Sequence, residues 1–422
     1  MKKRYIKRII DKELDLTLKS SGAVLIEGPK WCGKTRTAEE RASSAIYLQD
    51  IDRDAQYSKI LDTKPSLLLE GKTPRLIDEW QTAPKLWNGV RFAVDQRGGP
   101  GHFILTGSAV PIDDSGLHTG TGRIARINMR PMTLFESLES NGQVSLRSLF
   151  SGDDAEGISS LTMEGLSFAL VRGGWPASIA EEEKAALTHA RNYVSAVVNA
   201  DISRVDGVER NPARINRLMQ SLARNVSTAA ALKTITDDVA GNGEGDINSN
   251  KTVISYLNAL RRMFVVEDLP AWSPFMRSKT ALRTSSKRHF ADPSIAAVLL
   301  RASPEKLMED FNTFGLLFES LCIRDLRVYA QANDGYVYHY RDKNGLEADA
   351  IVELFDGRWG AVKIKMGAKE TDKAIDNLIK LRNKIDTDKM GEPSFMMVLT
   401  AGEYAHPYRD GVHIVPIGCL KD

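Results

Sequence analysis

Residues 23–36 read AVLIEGPKWCGKTR: a short apolar run, a loop bounded by glycines, then a lysine–threonine pair opening a helix-compatible stretch. The run 23–27 has the length of a buried strand. Gly28-Pro29-Lys30-Trp31-Cys32-Gly33-Lys34-Thr35 fits G-x-x-x-x-G-K-[ST] in the strand–loop–helix setting that a phosphate-binding loop requires. Glycines at both ends allow a tight loop whose N–H groups point inward at phosphate oxygens, and the helix that follows adds a favourable dipole. Lys34 is positioned by this pattern to reach the β- and γ-phosphates, and the Thr35 hydroxyl to ligate Mg²⁺. Gly28 through Thr35 are therefore candidates for holding ATP.

Outward from this loop, strand-like and helix-like stretches alternate. AIYLQ (45–49), PRLIDEW (74–80), HFILTGS (102–108) and IARINM (124–129) read as strands, and LWNGVRFAVDQRG (86–98) has helical spacing. Such alternation argues for an α/β fold whose parallel sheet is covered on both faces. In Leu76-Ile77-Asp78-Glu79 two adjacent carboxylates end an apolar run, and at a strand end successive side chains point in opposite directions. Asp78 is the candidate for holding Mg²⁺, and Glu79 for polarising the attacking water. Thr106 and Ser108 close the next strand, where a hydroxyl can sense the γ-phosphate or position water. Arg123, Arg126 and Arg130 follow. An arginine there can meet a γ-phosphate of its own or a neighbouring subunit and stabilise the charge of phosphoryl transfer. Arg123 is the first choice as a catalytic residue, because Gly122 leaves its backbone room to approach a ligand.

With 422 residues the chain can bury sizeable cores without disulfide or metal staples. Net charge is +2, from 57 basic and 55 acidic residues, so bulk charge does not announce a nucleic-acid binder. No stretch approaches the ~18 apolar residues of a membrane span, and MKKRYIKRIIDKELD turns acidic before a signal-peptide core can form. Cys32, Cys322 and Cys419 lie far apart, which excludes a disulfide framework and a cysteine zinc site. The expectation is a cytoplasmic protein without a membrane partner.

The set GPKWCGKT, LIDEW, ILTGS and GRIARINMRPMTLFES resembles the AAA+ ATPases of bacteria and archaea that carry a C-terminal domain of unknown function. GGWPASI (173–179), TVISYLNALRRMFVVEDLPAW (252–272), KRHFADPSIAAVLL (287–300) and YRDKNGLEADAIVEL (340–354) resemble that family too, so the likeness spans nearly the whole chain. It implies a five-stranded core in the strand order typical of that ATPase class. The stretches 151–160 (SGDDAEGISS) and 240–250 (AGNGEGDINSN) are rich in turn formers. The expected division is an ATPase domain at 1–135, a helical lid and winged-helix region at 136–275, and a C-terminal domain at 276–422.

In the middle region LSFAL, ALTHARNYVSAVVNADI and PARINRLMQSLARNV have helical patterns, followed by ALKTITDDVA and KTVISYLNALRRMFVV. The last has Ser249 or Asn250 as N-cap and Val253, Ile254, Leu257, Leu260 and Met263 or Phe264 on its apolar face. VVEDLPAW reads as the strands of a wing. A helix-turn-helix places its second helix in the major groove, which makes Lys251, Asn258, Arg261 and Arg262 candidates for contacting DNA.

FNTFGLLFESLCIRDL (311–326) is an apolar helix pattern, YVYHYRD and residues 346–352 read as a hairpin, and WGAVKIKMG (359–367) as a strand. This arrangement resembles the restriction-endonuclease-like core, in which a helical Glu, a strand Asp and a Glu-x-Lys pair bind Mg²⁺ and activate water. Glu319, Asp349 and Lys365 match those positions; Lys363 stands where the second carboxylate belongs. An ammonium there repels the metal and removes an oxygen ligand. Asp342 and Glu347 are the candidates to compensate, Glu347 provided that the strand is regular. The expectation is a degenerate, non-cleaving fold.

The leading functional expectation is a Mg²⁺-dependent ATPase whose turnover drives a DNA-binding or client-binding C-terminal region, with a homo-oligomer in reach. A nucleotide-gated DNA-binding regulator without turnover and an ATP-coupled nuclease are the competing classes. Asp78 and Glu79 favour turnover, because a mere switch needs no water-activating acid.

Overall fold

The structure, a computed structural model, describes residues 5–109, 120–202, 208, 210–240, 250–274, 285–367 and 370–422. Ser249 therefore lies outside the described residues. The chain forms two compact units. The first gathers the described residues of Met1–Pro131, Asp201–Glu209 and Ala259–Phe264, and the second the remainder.

In the first unit, β1 (Ala23–Glu27), β2 (Ser44–Tyr47), β3 (Arg75–Asp78), β4 (Phe103–Gly107) and β5 (Ile124–Asn128) form one parallel sheet in the order β2-β3-β4-β1-β5. Helices α1 (Ile10–Ser20), α2 (Lys34–Glu39), α3 (Asp54–Thr63) and α4 (Lys85–Arg97) connect or precede these strands. The period-two alternation of side chains explains the two cores. Ala23, Leu25, Ile77, Phe103 and Leu105 pack with Leu86, Trp87 and Val90 of α4. Val24, Ile26, Leu76, Ile104 and Ile127 pack with Ile10 and Leu14 of α1 and Ala38 of α2. Each buried Leu, Ile or Val side chain contributes about 1.5–3 kcal/mol relative to exposure. β3 stops at Asp78 rather than at Trp80, because Glu79 takes left-handed dihedrals (φ 55°, ψ 49°) and Trp80–Thr82 turns into a 3-10 helix.

In the second unit the expected helices are present at Met163–Arg172, Glu183–Ala196, Pro212–Arg224, Leu232–Ala240 and Phe311–Gln331. β6 (Val144–Ser145) and β16 (Leu420–Lys421) form a two-residue pair. A mixed sheet runs in the order β10-β11-β12-β13-β15-β14-β7. Its strands are β7 (Gly157–Ile158), β10 (Gly335–Arg341), β11 (Glu347–Leu354), β12 (Trp359–Lys365), β13 (Phe395–Thr400), β14 (Tyr404–Pro407) and β15 (Val412–Pro416). The Phe311–Gln331 helix packs against β10, β11 and β12, and Thr371–Lys384 against β11, β12 and β13.

The expected wing is corrected in one respect. β8 (Val266–Leu269) pairs antiparallel with β9 (Lys287–Phe290), not with the end of VVEDLPAW. Pro270 has no N–H to continue the ladder. Its carbonyl instead accepts from His339 N–H at 2.9 Å, and Trp272 N–H donates to His339 at 2.7 Å. The PAW segment thus joins the edge of β10.

Candidate functional site

The loop after β1 follows from its glycines. Gly28 has φ +153°, and a Cβ there would lie 2.0 Å from the Met129 carbonyl oxygen. Gly33 takes φ 106° to start α2. Trp31 holds φ 66° and is 48% exposed. Lys34 is buried, its ammonium donating to the carbonyls of Gly28 (2.9 Å) and Pro29 (2.8 Å). Cys32 is buried with its thiol 3.4 Å from the Met129 carbonyl, and Lys30 pairs with Asp201 at 2.6 Å.

The strand-end residues meet the loop through short hydrogen bonds. The Thr35 and Thr106 hydroxyls each donate to Asp78 Oδ1 at 2.7 Å. Glu79 N–H donates to Thr106 Oγ1 at 3.1 Å. The adjacent carboxylates therefore go to different partners: Glu79 Oε2 accepts from Ser108 Oγ at 3.1 Å and from Gln81 Nε2. Lys34, Thr35, Asp78, Glu79, Thr106 and Ser108 thus gather at the C-terminal ends of β1, β3 and β4, where ligands of open α/β sheets bind.

Arg123 is a correction. It precedes β5, and its carbonyl accepts from Ala23 N–H at the start of β1, whereas the phosphate loop follows Glu27 at the end. Four residues of strand separate the two ends, about 13 Å at ~3.3 Å per residue. Its guanidinium bonds Asp95 of α4 at 2.9 Å, so it does not face this chain's own loop. Arg126 pairs with Glu27 at 3.1 Å, while burial raises the Glu27 carboxyl above its ordinary range. Two contributors had no motif to announce them. Arg8, buried, donates to the carbonyls of Cys32 and Arg130, each at 2.8 Å, and so ties the loop to the chain after β5. Gln81 was visible only as a neighbour of the acidic pair.

The second unit holds another charged cluster. Lys363, 3% exposed, donates to Asp349 Oδ1 at 2.7 Å and lies 3.4 Å from Glu347. Asp349 Oδ2 accepts from Ile364 N–H at 2.7 Å. Glu319 pairs with Lys287 at 2.7 Å, and burial together with the Asp349 charge pushes its carboxyl up to about 7. Asp342 is turned away, bonded to Lys384 and to the N–H groups of Asn344 and Leu346. Lys365 pairs with Glu370 at 3.2 Å. Glu347 and Asp349 thus converge on Lys363, whose ammonium holds the position between them.

Residues 20–138 match an AAA domain, residues 163–306 a domain of unknown function (DUF8612), and residues 314–420 another (DUF4143). No curated protein matches. Among solved structures, the chain is similar to the Walker-type ATPase PABY2304 of Pyrococcus abyssi at 14% identity and a TM-score of 0.42, covering 71% of this chain and 97% of that one. It is also similar to the replication initiator DnaA bound to AMPPCP and single-stranded DNA, at 15% identity and a TM-score of 0.27, covering 60% of this chain and 86% of that one. Among the described residues no helix is long and apolar enough to cross a membrane. The N-terminal part of the chain is thus an AAA domain, and domains of unknown function follow it.

Proposed function

We propose that the chain binds ATP with Mg²⁺ and hydrolyses it, and that turnover drives a C-terminal region that engages DNA or a protein client. The observation that carries this reading is the meeting of Thr35 Oγ1 and Asp78 Oδ1 at 2.7 Å beside the lysine-bearing loop. A hydroxyl and a carboxylate are the hard oxygen donors that suit Mg²⁺. When bound, Mg²⁺ supplies charge neutralisation on the phosphates. Lys34 exchanges two loop carbonyls for phosphate oxygens, and Thr106 holds the Asp78 carboxylate in place. Glu79 takes the proton of a water that attacks the γ-phosphorus. The bond to the bridging oxygen breaks, and ADP leaves with that electron pair.

The division at 135 and 275 goes with this reading, as does a cytoplasmic setting in which the buried thiols of Cys32, Cys322 and Cys419 stay reduced. Arg123 is left with a role towards a neighbouring copy in a homo-oligomer. On the Asn250–Arg262 helix, Lys251 and Asn258 are exposed and Arg262 half-buried, which supports contact with a phosphate backbone. The Lys363 ammonium between Asp349 and Glu347 supports a restriction-endonuclease-like domain that does not cleave.

ATP turnover, measured with and without single- and double-stranded DNA, tests the proposal. Lys34→Ala is expected to lose nucleotide binding, and Glu79→Gln to keep binding while losing at least 100-fold in kcat, about the worth of a general base. Equal turnover in Glu79→Gln and wild type would remove Glu79 from the mechanism. A rate indifferent to both DNAs would leave the protein client as the C-terminal partner.

A further inference from the structure

We propose that Gln81 is a positioning residue for hydrolysis, orienting the Glu79 carboxylate so that Oε1 faces the attacking water. The inference rests on Glu79 being the general base and adds the device that aims it.

Every polar group of Glu79 apart from Oε1 is held. Its N–H donates to Thr106 Oγ1 at 3.1 Å, and its carbonyl accepts from Thr82 Oγ1 at 2.9 Å. Its Oε2 accepts from Ser108 Oγ at 3.1 Å and from Gln81 Nε2, which also lies 3.3 Å from that hydroxyl. Gln81, Ser108 and one carboxylate oxygen thus close a triangle. Among the described residues no hydrogen bond reaches Oε1. A carboxylate pinned through one oxygen presents the other in a fixed direction, which is what proton abstraction needs.

The backbone supports the same assignment. Glu79 sits at φ 55°, a conformation of order 1–3 kcal/mol above the common regions for a residue with a side chain. This conformation ends β3 and swings the chain so that Gln81 returns to the carboxylate two residues earlier. Gln81 Oε1 is buried without a hydrogen-bond partner, so the amide does not owe its orientation to a bond at that atom. The contact with Glu79 and Ser108 fixes it.

Lost positioning is expected to lower kcat and spare nucleotide affinity. Gln81→Leu should cut kcat about tenfold with the ATP dissociation constant unchanged, and Ser108→Ala, which removes one donor, should cut it less. In the Glu79→Gln background the Gln81→Leu change should cost nothing further, because no base remains to aim. Gln81→Asn, one methylene short, should behave like Gln81→Leu and serves if that variant does not fold. Undiminished kcat in Gln81→Leu or Gln81→Asn, or a tenfold loss repeated on top of Glu79→Gln, overturns the proposal while wild-type turnover keeps the ATPase reading. Absence of wild-type turnover overturns both.

Discussion

Lys363 donates to Asp349 at 2.7 Å and sits 3.4 Å from Glu347, a cation supplied by the chain where the resembled fold uses a metal. We expect the purified wild type to leave plasmid DNA intact in Mg²⁺ or Mn²⁺. Lys363→Glu should gather carboxylates with one cation fewer, so its stability should come to depend on added Mn²⁺. Magnesium-dependent nicking by the wild type, abolished in Asp349→Ala, would falsify the non-cleaving reading. The residue identities behind this were legible in the sequence because a substituted charge announces itself. The phosphate loop was legible for a different reason: its glycines and its lysine answer to local backbone demands. The reading of Arg123 towards this chain's own γ-phosphate fails because a residue's distance along the chain does not say which end of a parallel sheet it occupies. Arg8 carried no signal, since it serves the loop from 24 residues away through backbone carbonyls.

Among elements, apolar runs located the five parallel strands to within two residues, whereas helix ends were less legible: LSFAL starts three residues inside Met163–Arg172, and FNTFGLLFESLCIRDL stops five residues short of Gln331. The partner of β8 was misplaced because strand pairing is non-local: Val266–Leu269 pairs with Lys287–Phe290, well beyond the end of VVEDLPAW. The stretches GGWPASI and KRHFADPSIAAVLL gave a likeness without a physical reason, which packing now supplies. Asp292 caps the Pro293–Leu299 helix at Ser294 N–H (2.9 Å) and accepts from Gly174 N–H (2.9 Å) and Arg324 (2.8 Å). Arg324 also holds Asp325, which accepts from Leu134 N–H at 3.0 Å. All three charged side chains are buried, and burial outweighs Arg324 in pushing the Asp325 carboxyl up to about 6. Removing the cation strands two carboxylates in the interior. Arg324→Met is therefore expected to cost about 3–5 kcal/mol, read as a lower urea midpoint.

For the whole molecule, pH acts through groups that burial holds away from their ordinary range. Burial, and then the Lys287 charge, lowers the His339 imidazole to about 4. Between roughly pH 6.5 and 4 the unfolded chain then binds more protons at His339 than the folded one, so stability falls as pH drops through that window. Glu319 runs the other way: with its carboxyl at about 7, its contribution is lost as pH rises from about 4.5 to 7. His339→Gln should therefore flatten the acid-side decline, by about 2 kcal/mol at most, in unfolding followed from pH 4.5 to 7. An undiminished acid-side decline in that variant would assign the effect to other groups. The segment before α1 has a different kind of reach. Tyr5 bonds Asp11 at 2.6 Å and lies 3.0 Å from the Thr37 hydroxyl, and Arg8 grips two carbonyls around the phosphate loop. Order in that segment and occupancy of the loop are two halves of one thermodynamic cycle. Any ligand that stiffens the loop through these bonds must stabilise the segment by the same free energy with which the ordered segment favours the ligand.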